Sequence, residues 1–331
     1  MTATTMMRRE IDEIPAAAAR LLDAAPQDRF RAVGRALGRI GPRAVVTVAR
    51  GSSDHAATCL KYAIELSAGV PVSSVGPSVA SIYGAALHLD RVVALGVSQS
   101  GRSGDLVALM RACRQGGAQT LTLTNSVDSP LAGAAATVLD LCAGPEHAVA
   151  ATKSFTNSVL SGLWLLAYWR GDDGLQAALR AAPDRLQDAL ALTAAPLREE
   201  LTRTDRLVVI ARGPGLGIAA EVALKAMELC GIHASAHSSA EVLHGPSAIL
   251  RDGFPVLALG EPAEAGLQDT IDRLEGQGAR VLTAPAVTPL HRFLDPLLQL
   301  APVYGALEAA ARIRGRNPDR PEFLAKETLT V

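Results

Sequence analysis

Aromatic side chains are scarce in this chain, at 3% of its 331 residues, with only two tryptophans. Stacking platforms for nucleobases or sugar polymers are therefore not expected, and a ligand should be small and held by hydrogen bonds. Net charge is also lacking: the formal value is −1, with acids and bases interspersed, so no basic face marks a nucleic-acid partner. The four cysteines, Cys59, Cys113, Cys142 and Cys230, form no C-x-x-C pair, and each falls in an apolar stretch. Buried thiols in a reducing compartment are expected, with neither disulfides nor a metal site. No apolar run reaches the roughly 18 residues of a membrane span. The start, Met1-Thr-Ala-Thr-Thr-Met-Met-Arg-Arg-Glu, has no apolar signal-peptide core. The expectation is a cytoplasmic protein without membrane contact.

Hydrophobic residues are plentiful, at 49%, and the length suits about two domains. An internal repeat supports that division. Val45-Val-Thr-Val-Ala-Arg-Gly returns as Leu207-Val-Val-Ile-Ala-Arg-Gly, and the segments that follow also correspond, Ala56-Ala57…Glu65-Leu66 with Ala219-Ala220…Glu228-Leu229. A second pairing sets Ala94-Leu95-Gly96 beside Ala258-Leu259-Gly260, and Gly117-Ala118 beside Gly278-Ala279. Strands alternating with helical stretches imply an α/β architecture with a parallel sheet in each half. The expected divisions are an N-terminal helical segment at 1–29, a first domain at 30–170, a helical connector at 171–194 and a second domain at 195–331.

The sharpest local motif is Val97-Ser-Gln-Ser-Gly-Arg-Ser, between the apolar run from Val92 to Gly96 and a stretch from Asp105 with helical periodicity. A turn of small hydroxyl residues that opens a helix offers free N–H groups and the positive end of the helix dipole to an anion. The same letters also suit an ordinary capped helix behind a serine-rich turn. The second copy of the repeat has Glu261-Pro-Ala-Glu at this place, whose carboxylates would repel an anion. Only the first half is expected to bind one, at the C-terminal ends of its strands.

The second half holds a different cluster. Glu221, Lys225 and Glu228 stand at i, i+4 and i+7 and share one helix face. That spacing alone fits a solvated ion-pair face, but the rest of the helix is Ala, Val, Leu and Met, which favours burial and a need for partners. His233, His237 and His244 lack the spacing of a zinc helix. His244 precedes Gly245-Pro246, where a helix must stop, so a loop position is expected, suited either to proton transfer or to plain exposure. Near the C-terminus, Pro318 and Pro321 preclude a regular helix and leave an extended tail carrying Lys326.

These motifs together resemble the sugar isomerase (SIS) domain family, and in particular the double-SIS isomerase half of glucosamine-6-phosphate synthase and its stand-alone relatives. The resemblance rests on Arg50-Gly-Ser-Ser-Asp-His, Ser98-Gln-Ser-Gly, Val149-Ala-Ala-Thr-Lys-Ser-Phe-Thr, Ala223-Leu-Lys…Glu228, Glu241-Val-Leu-His-Gly-Pro and Leu324-Ala-Lys. It implies two tandem SIS domains, each a three-layer flavodoxin-like or Rossmann-like sandwich, with no cofactor and no metal. It further implies that Gly51, Ser52, Ser53, Ser98, Gln99, Ser100 and Ser103 bind the phosphate of a hexose 6-phosphate. Val149, Ala151, Thr152 and Ala325 would line the sugar site. The residue matching Glu228 moves a proton between C1 and C2, and the one matching His244 assists ring opening from the neighbouring subunit of a homodimer. Lys225 and Lys326 would lie by the sugar, Lys326 able to form a Schiff base.

Two departures shape the expected activity. The synthase has an added amide-hydrolysing domain with an N-terminal cysteine, whereas Thr2 stands second here, so glutamine is not expected as nitrogen donor. The synthase also has an acid after Ser-Gln-Ser-Gly, where this chain has Arg102-Ser103, a form that resembles stand-alone amino-sugar-phosphate deaminases. The expected activity is deamination of glucosamine 6-phosphate to fructose 6-phosphate and ammonia. The alternatives are an aldose–ketose phosphosugar isomerase and a non-catalytic sugar-phosphate-binding regulator.

Overall fold

The computed structural model describes residues 4–261 and 266–326. The chain divides into two compact units, neither of them continuous in sequence. One comprises Ala16–Glu146, Lys153–Pro183 and Ala325–Val331, and the other Met1–Pro15, His147–Thr152 and Asp184–Leu324.

Helix α1 is Met6–Asp12, α2 is Ile14–Leu22 and α3 is Ala24–Ile40. The first sheet is then built from β1 (Ala44–Val48), β2 (Val72–Ser74), β3 (Val92–Ser98), β4 (Gln119–Thr124) and β5 (Thr137–Asp140). Between these strands run α4 (Ser52–Ala68), α5 (Ser78–Ser81), α6 (Gly104–Gln115) and α7 (Pro130–Ala134), followed by α8 (Lys153–Arg170) and α9 (Asp173–Leu190). All pairings are parallel, in the order β2-β1-β3-β4-β5. Alternate residues explain the three layers. Val45, Val93, Leu95 and Leu121 face Leu37 of α3, Leu60 and Ile64 of α4 and Leu165 of α8. Val46, Val48 and Ala94 join Leu106, Leu109 and Met110 of α6 in a second cluster. Covered on both faces, β3 is a nearly unbroken apolar run.

The four-stranded unit continues with α10 (Ala195–Arg203), β6 (Arg206–Ala211), α11 (Gly215–Cys230), β7 (His233–Ser238), β8 (Pro255–Ala258), α12 (Leu267–Gly276), β9 (Arg280–Thr283) and α13 (Asp295–Ile313). Its sheet is parallel in the order β7-β6-β8-β9. This repeats the order of β2, β1, β3 and β4, as the sequence repeat implies. Val208, Ile210, Val256 and Ala258 pack on Leu267, Ile271 and Leu274 of α12. Helix α11 ends at Gly231, whose φ of +64° closes it with a left-handed cap.

Three cysteines are buried as expected, and burial pushes the Cys113 and Cys230 thiols up to about 11. Cys142 departs from the expectation. It is only half-buried, because a turn after β5 with φ +51° brings its N–H to Asp140 Oδ1 at 2.8 Å. No helix among the described residues is long and apolar enough to cross a membrane.

Candidate active site

In the five-stranded unit the chain passes from β1 to one side of the sheet and from β3 to the other, so the C-terminal ends of these neighbours form a topological switch point, where open α/β sheets bind ligands. Val48 pairs with Gly96, and two residues further on each strand stand Arg50 and Ser98. Gly51, exposed at φ +54°, turns the chain into α4, with half-buried Ser52 and Ser53 as its first residues. Across the crevice, Ser98 is buried, Gln99 and Ser100 are half-buried, and Ser103 is the N-cap of α6 without a side-chain cap bond. The serine loop is internally tied. Ser98 Oγ accepts the Gly101 N–H at 3.0 Å and Ser100 Oγ the Arg102 N–H at 3.4 Å. Gly101 is required here: its φ is +64°, and a Cβ would lie 2.1 Å from Ser129 Oγ. Asp105, fully buried in the first turn of α6, accepts from Arg50 Nε at 2.5 Å and from the Leu106 N–H at 2.8 Å.

The corresponding turn of the four-stranded unit differs at its root, where the Gly260 N–H donates to Gln299 Oε1 of α13 at 2.8 Å. Of the two carboxylates on which the expected repulsion of an anion depends, Glu261 is half-buried, and Glu264 lies outside the described residues with Pro262 and Ala263.

Helix α11 of the four-stranded unit brings the expected trio together. Lys225 Nζ lies 2.6 Å from Glu228 Oε2 and 3.3 Å from Glu221 Oε1. Glu221 also accepts from the Tyr304 hydroxyl of α13 at 3.2 Å. The solvated-face alternative fails, since Glu221 and Lys225 side chains are 0% and 1% exposed. Glu228 is 21% exposed and is the member of the trio that reaches the surface. Burial alone would push the Lys225 ammonium down, but Glu221 and Glu228 outweigh it and hold the group above its ordinary value.

His244 is exposed, between two 3-10 turns, Glu241–Leu243 and Pro246–Ile249, and Gly245 (φ +134°) turns the chain between them. Val149 and Ala151 are half-buried and Thr152 buried in the excursion His147–Thr152. Glu10 of α1 accepts the His147 and Ala148 N–H groups, the latter at 3.2 Å, while the Val149 N–H donates to Asp319 O at 3.1 Å. Asp319 also accepts the Met6 and Met7 N–H groups at 3.0 and 2.8 Å.

In the five-stranded unit, Ala325 is exposed and Lys326 Nζ lies 3.6 Å from the buried carboxylate of Glu146. That carboxylate also accepts the Ser154 N–H at 3.2 Å and the Ser154 hydroxyl. Among the described residues no group of three or more His, Cys, Asp or Glu side chains is arranged to hold a metal ion.

Residues 41–168, which carry the five-stranded sheet, match the SIS domain family. A crystal structure from Silicibacter pomeroyi, of a protein provisionally assigned as a phosphosugar isomerase, is 46% identical, with a TM-score of 0.90 over 96% of this chain and 100% of that one. The chain belongs to the SIS domain family. A curated relative, the glutamine–fructose-6-phosphate aminotransferase (isomerizing) of Symbiobacterium thermophilum, is 35% identical over 86% of this chain. That alignment covers 51% of the relative, so the chain spans about half the length of the curated relatives it matches. A glucosamine-6-phosphate deaminase from Thermotoga maritima shares the SIS fold at 20% identity, with a TM-score of 0.77 over 98% of this chain and 100% of that one.

Sequence reasoning did not pick out Glu10, Glu146, Tyr304 or Asp319. Each acts on a partner far away in the chain, so no local pattern marks it.

Proposed function

We propose that this SIS protein is a phosphosugar isomerase acting on an amino sugar phosphate, converting glucosamine 6-phosphate and water to fructose 6-phosphate and ammonia. The observation that carries the reading is the α11 trio, in which a carboxylate at the surface is oriented by a buried lysine. In this reading the Ser98–Ser103 loop takes the phosphate and His244 helps to open the ring. Glu228 removes the C2 proton of the open-chain aldehyde, giving an enolamine, and returns it at C1. The product is the C2 imine of fructose 6-phosphate. Water adds to this imine and ammonia leaves, so one water is consumed for each ammonia formed. A positioned carboxylate contributes about 10²–10⁴-fold to such a transfer, and a phosphate held away from C2 helps to orient the reacting carbon.

The experiment is an ammonia-release assay over 2-amino-2-deoxyhexose 6-phosphates. Release from glucosamine 6-phosphate, abolished in Glu228→Gln, is expected; no release from any of them overturns the deaminase reading. A second reading, aldose–ketose isomerisation without nitrogen chemistry, is favoured by the likeness to the Silicibacter pomeroyi protein and uses the same proton shuttle. Conversion of an aldose phosphate to a ketose phosphate, with no ammonia from amino sugars, would select it.

A further inference from the structure

The serine loop is built from neutral hydroxyls, yet the first turns of the two helices at the switch point each carry an acid, Asp54 in α4 and Asp105 in α6. Acids there suit the positive ends of the helices but oppose an arriving anion. Burial pushes the Asp54 carboxyl up, while His55 and Arg50 pull it back. Asp105 is fully buried and fixed at both oxygens, by Leu106 N–H and Arg50 Nε. The Arg50 side chain is 47% exposed. Its anchored nitrogen is the one nearest its own backbone, and the two terminal amino groups extend beyond it. A guanidinium has five donors and suits the planar, paired recognition of phosphate oxygens. Arg102, exposed on the loop itself, is the other cation of this turn.

We propose that Arg50, oriented by Asp105, is a specificity-determining residue that selects a phosphate monoester at the Ser98–Ser103 loop. The inference rests on the phosphate assignment made above and adds a residue to it. The register supports it, because Arg50 and Ser98 stand at equivalent places beyond the paired residues Val48 and Gly96 on adjacent strands. The hydroxyls supply directional bonds, and Arg50, whose charge offsets that of Asp105, supplies the paired terminal N–H donors that phosphate oxygens accept. A neutral sugar would gain little from it. The Asp105 carboxylate matters because an arginine fixed beforehand loses less freedom on binding.

The test uses the full chain and inorganic phosphate as probe, with affinity measured by titration calorimetry at low ionic strength and the unliganded unfolding midpoint measured alongside. Arg50→Gln is expected to weaken phosphate binding at least tenfold and Asp105→Asn several-fold, with Arg50→Lys recovering only part of the loss. In turnover assays KM for the sugar phosphate should rise far more than kcat falls. Should Arg50→Gln fold poorly, the same comparison is read from Arg50→Lys. An altered midpoint with unchanged phosphate affinity would make Arg50 a structural tie between the β1–α4 turn and α6 and overturn the inference. Unchanged affinity in the Arg50 variants with a loss in Ser100→Ala would also overturn it, while sparing the phosphate loop. Phosphate binding that neither Ser100→Ala nor the Arg50 variants disturb, or no binding at all, would remove the loop assignment itself.

Discussion

Glu146 Oε2 lies 3.6 Å from Lys326 Nζ, a wholly buried carboxylate against an ammonium that is 27% exposed. The same carboxylate accepts from Ser154 in the first turn of α8, so one acid ties the tail of the chain to a helix start.

Glu146→Gln keeps the size and the bond from the Ser154 N–H but removes the charge that holds Lys326. If Lys326 works at the sugar, kcat should fall roughly tenfold to a hundredfold, matching a lost charge-assisted contact of ~1.5–3 kcal/mol, with KM changed far less. Steady-state kinetics measure both, and an unchanged kcat would detach Lys326 from the reaction.

Lys225→Met should be costly to stability because it leaves Glu221 buried without its cation, a loss of about 3–5 kcal/mol for a broken buried pair. Urea unfolding should show it, and adding Glu221→Gln should recover part of the loss. The raised Lys225 value sets the direction with pH. A proton held more tightly in the folded state gives stability that is full below the ordinary lysine value of 10.5 and is lost as pH rises through the higher folded value. The wild-type protein should therefore lose stability above about pH 10.5, and Lys225→Met should lack that component of the decline.

At the serine loop, Ser100→Ala should weaken substrate binding about ten- to a hundredfold, the worth of one charge-assisted bond, while Ser238→Ala at the end of β7 should not. Gly101→Ala should be felt in folding, since its Cβ would meet Ser129 Oγ at 2.1 Å, with an overpacking cost of about 1–3 kcal/mol. Combining it with Ser129→Gly should relieve the clash but leave the strain of a positive φ, about 1–2 kcal/mol. Thermal or urea unfolding of Gly101→Ala, Ser129→Gly and the double variant separates the two contributions.

Subunit sharing is tested by mixing. If His244 of one chain completes the site of another in a two-fold dimer, then Glu228→Gln and His244→Ala, each inactive alone, should together regain up to about a quarter of wild-type activity after random exchange, since one site of each mixed dimer inherits neither lesion. No recovery despite demonstrated exchange would assign His244 to its own chain's site.

The serine loop was legible because its signals are local: a buried strand, a turn of small residues and an amphipathic helix in succession. The repeat likewise announced two similar halves, each with a parallel sheet. The spacing of Glu221, Lys225 and Glu228 was visible, but their burial was decided by α13, whose Tyr304 reaches Glu221 across 83 positions. Periodicity cannot register such a partner. Glu10, Glu146 and Asp319 stayed hidden for a related reason, as each serves backbone N–H groups that any residue carries. The assignment of His147–Thr152 to a different unit from its flanking segments has no compositional mark either.

Asp319 closes the first turn of α1 from 313 and 312 positions away, through the Met6 and Met7 N–H groups. During synthesis those two residues leave the ribosome 313 and 312 residues ahead of the carboxylate that satisfies them. Until then Glu10, on the same helix, has no firm base from which to hold His147 and Ala148. The four-stranded unit thus depends on contacts of very long sequence separation, which form late and slow folding. A nascent chain can assemble most of the five-stranded sheet while the N-terminal helix still waits for its fastening.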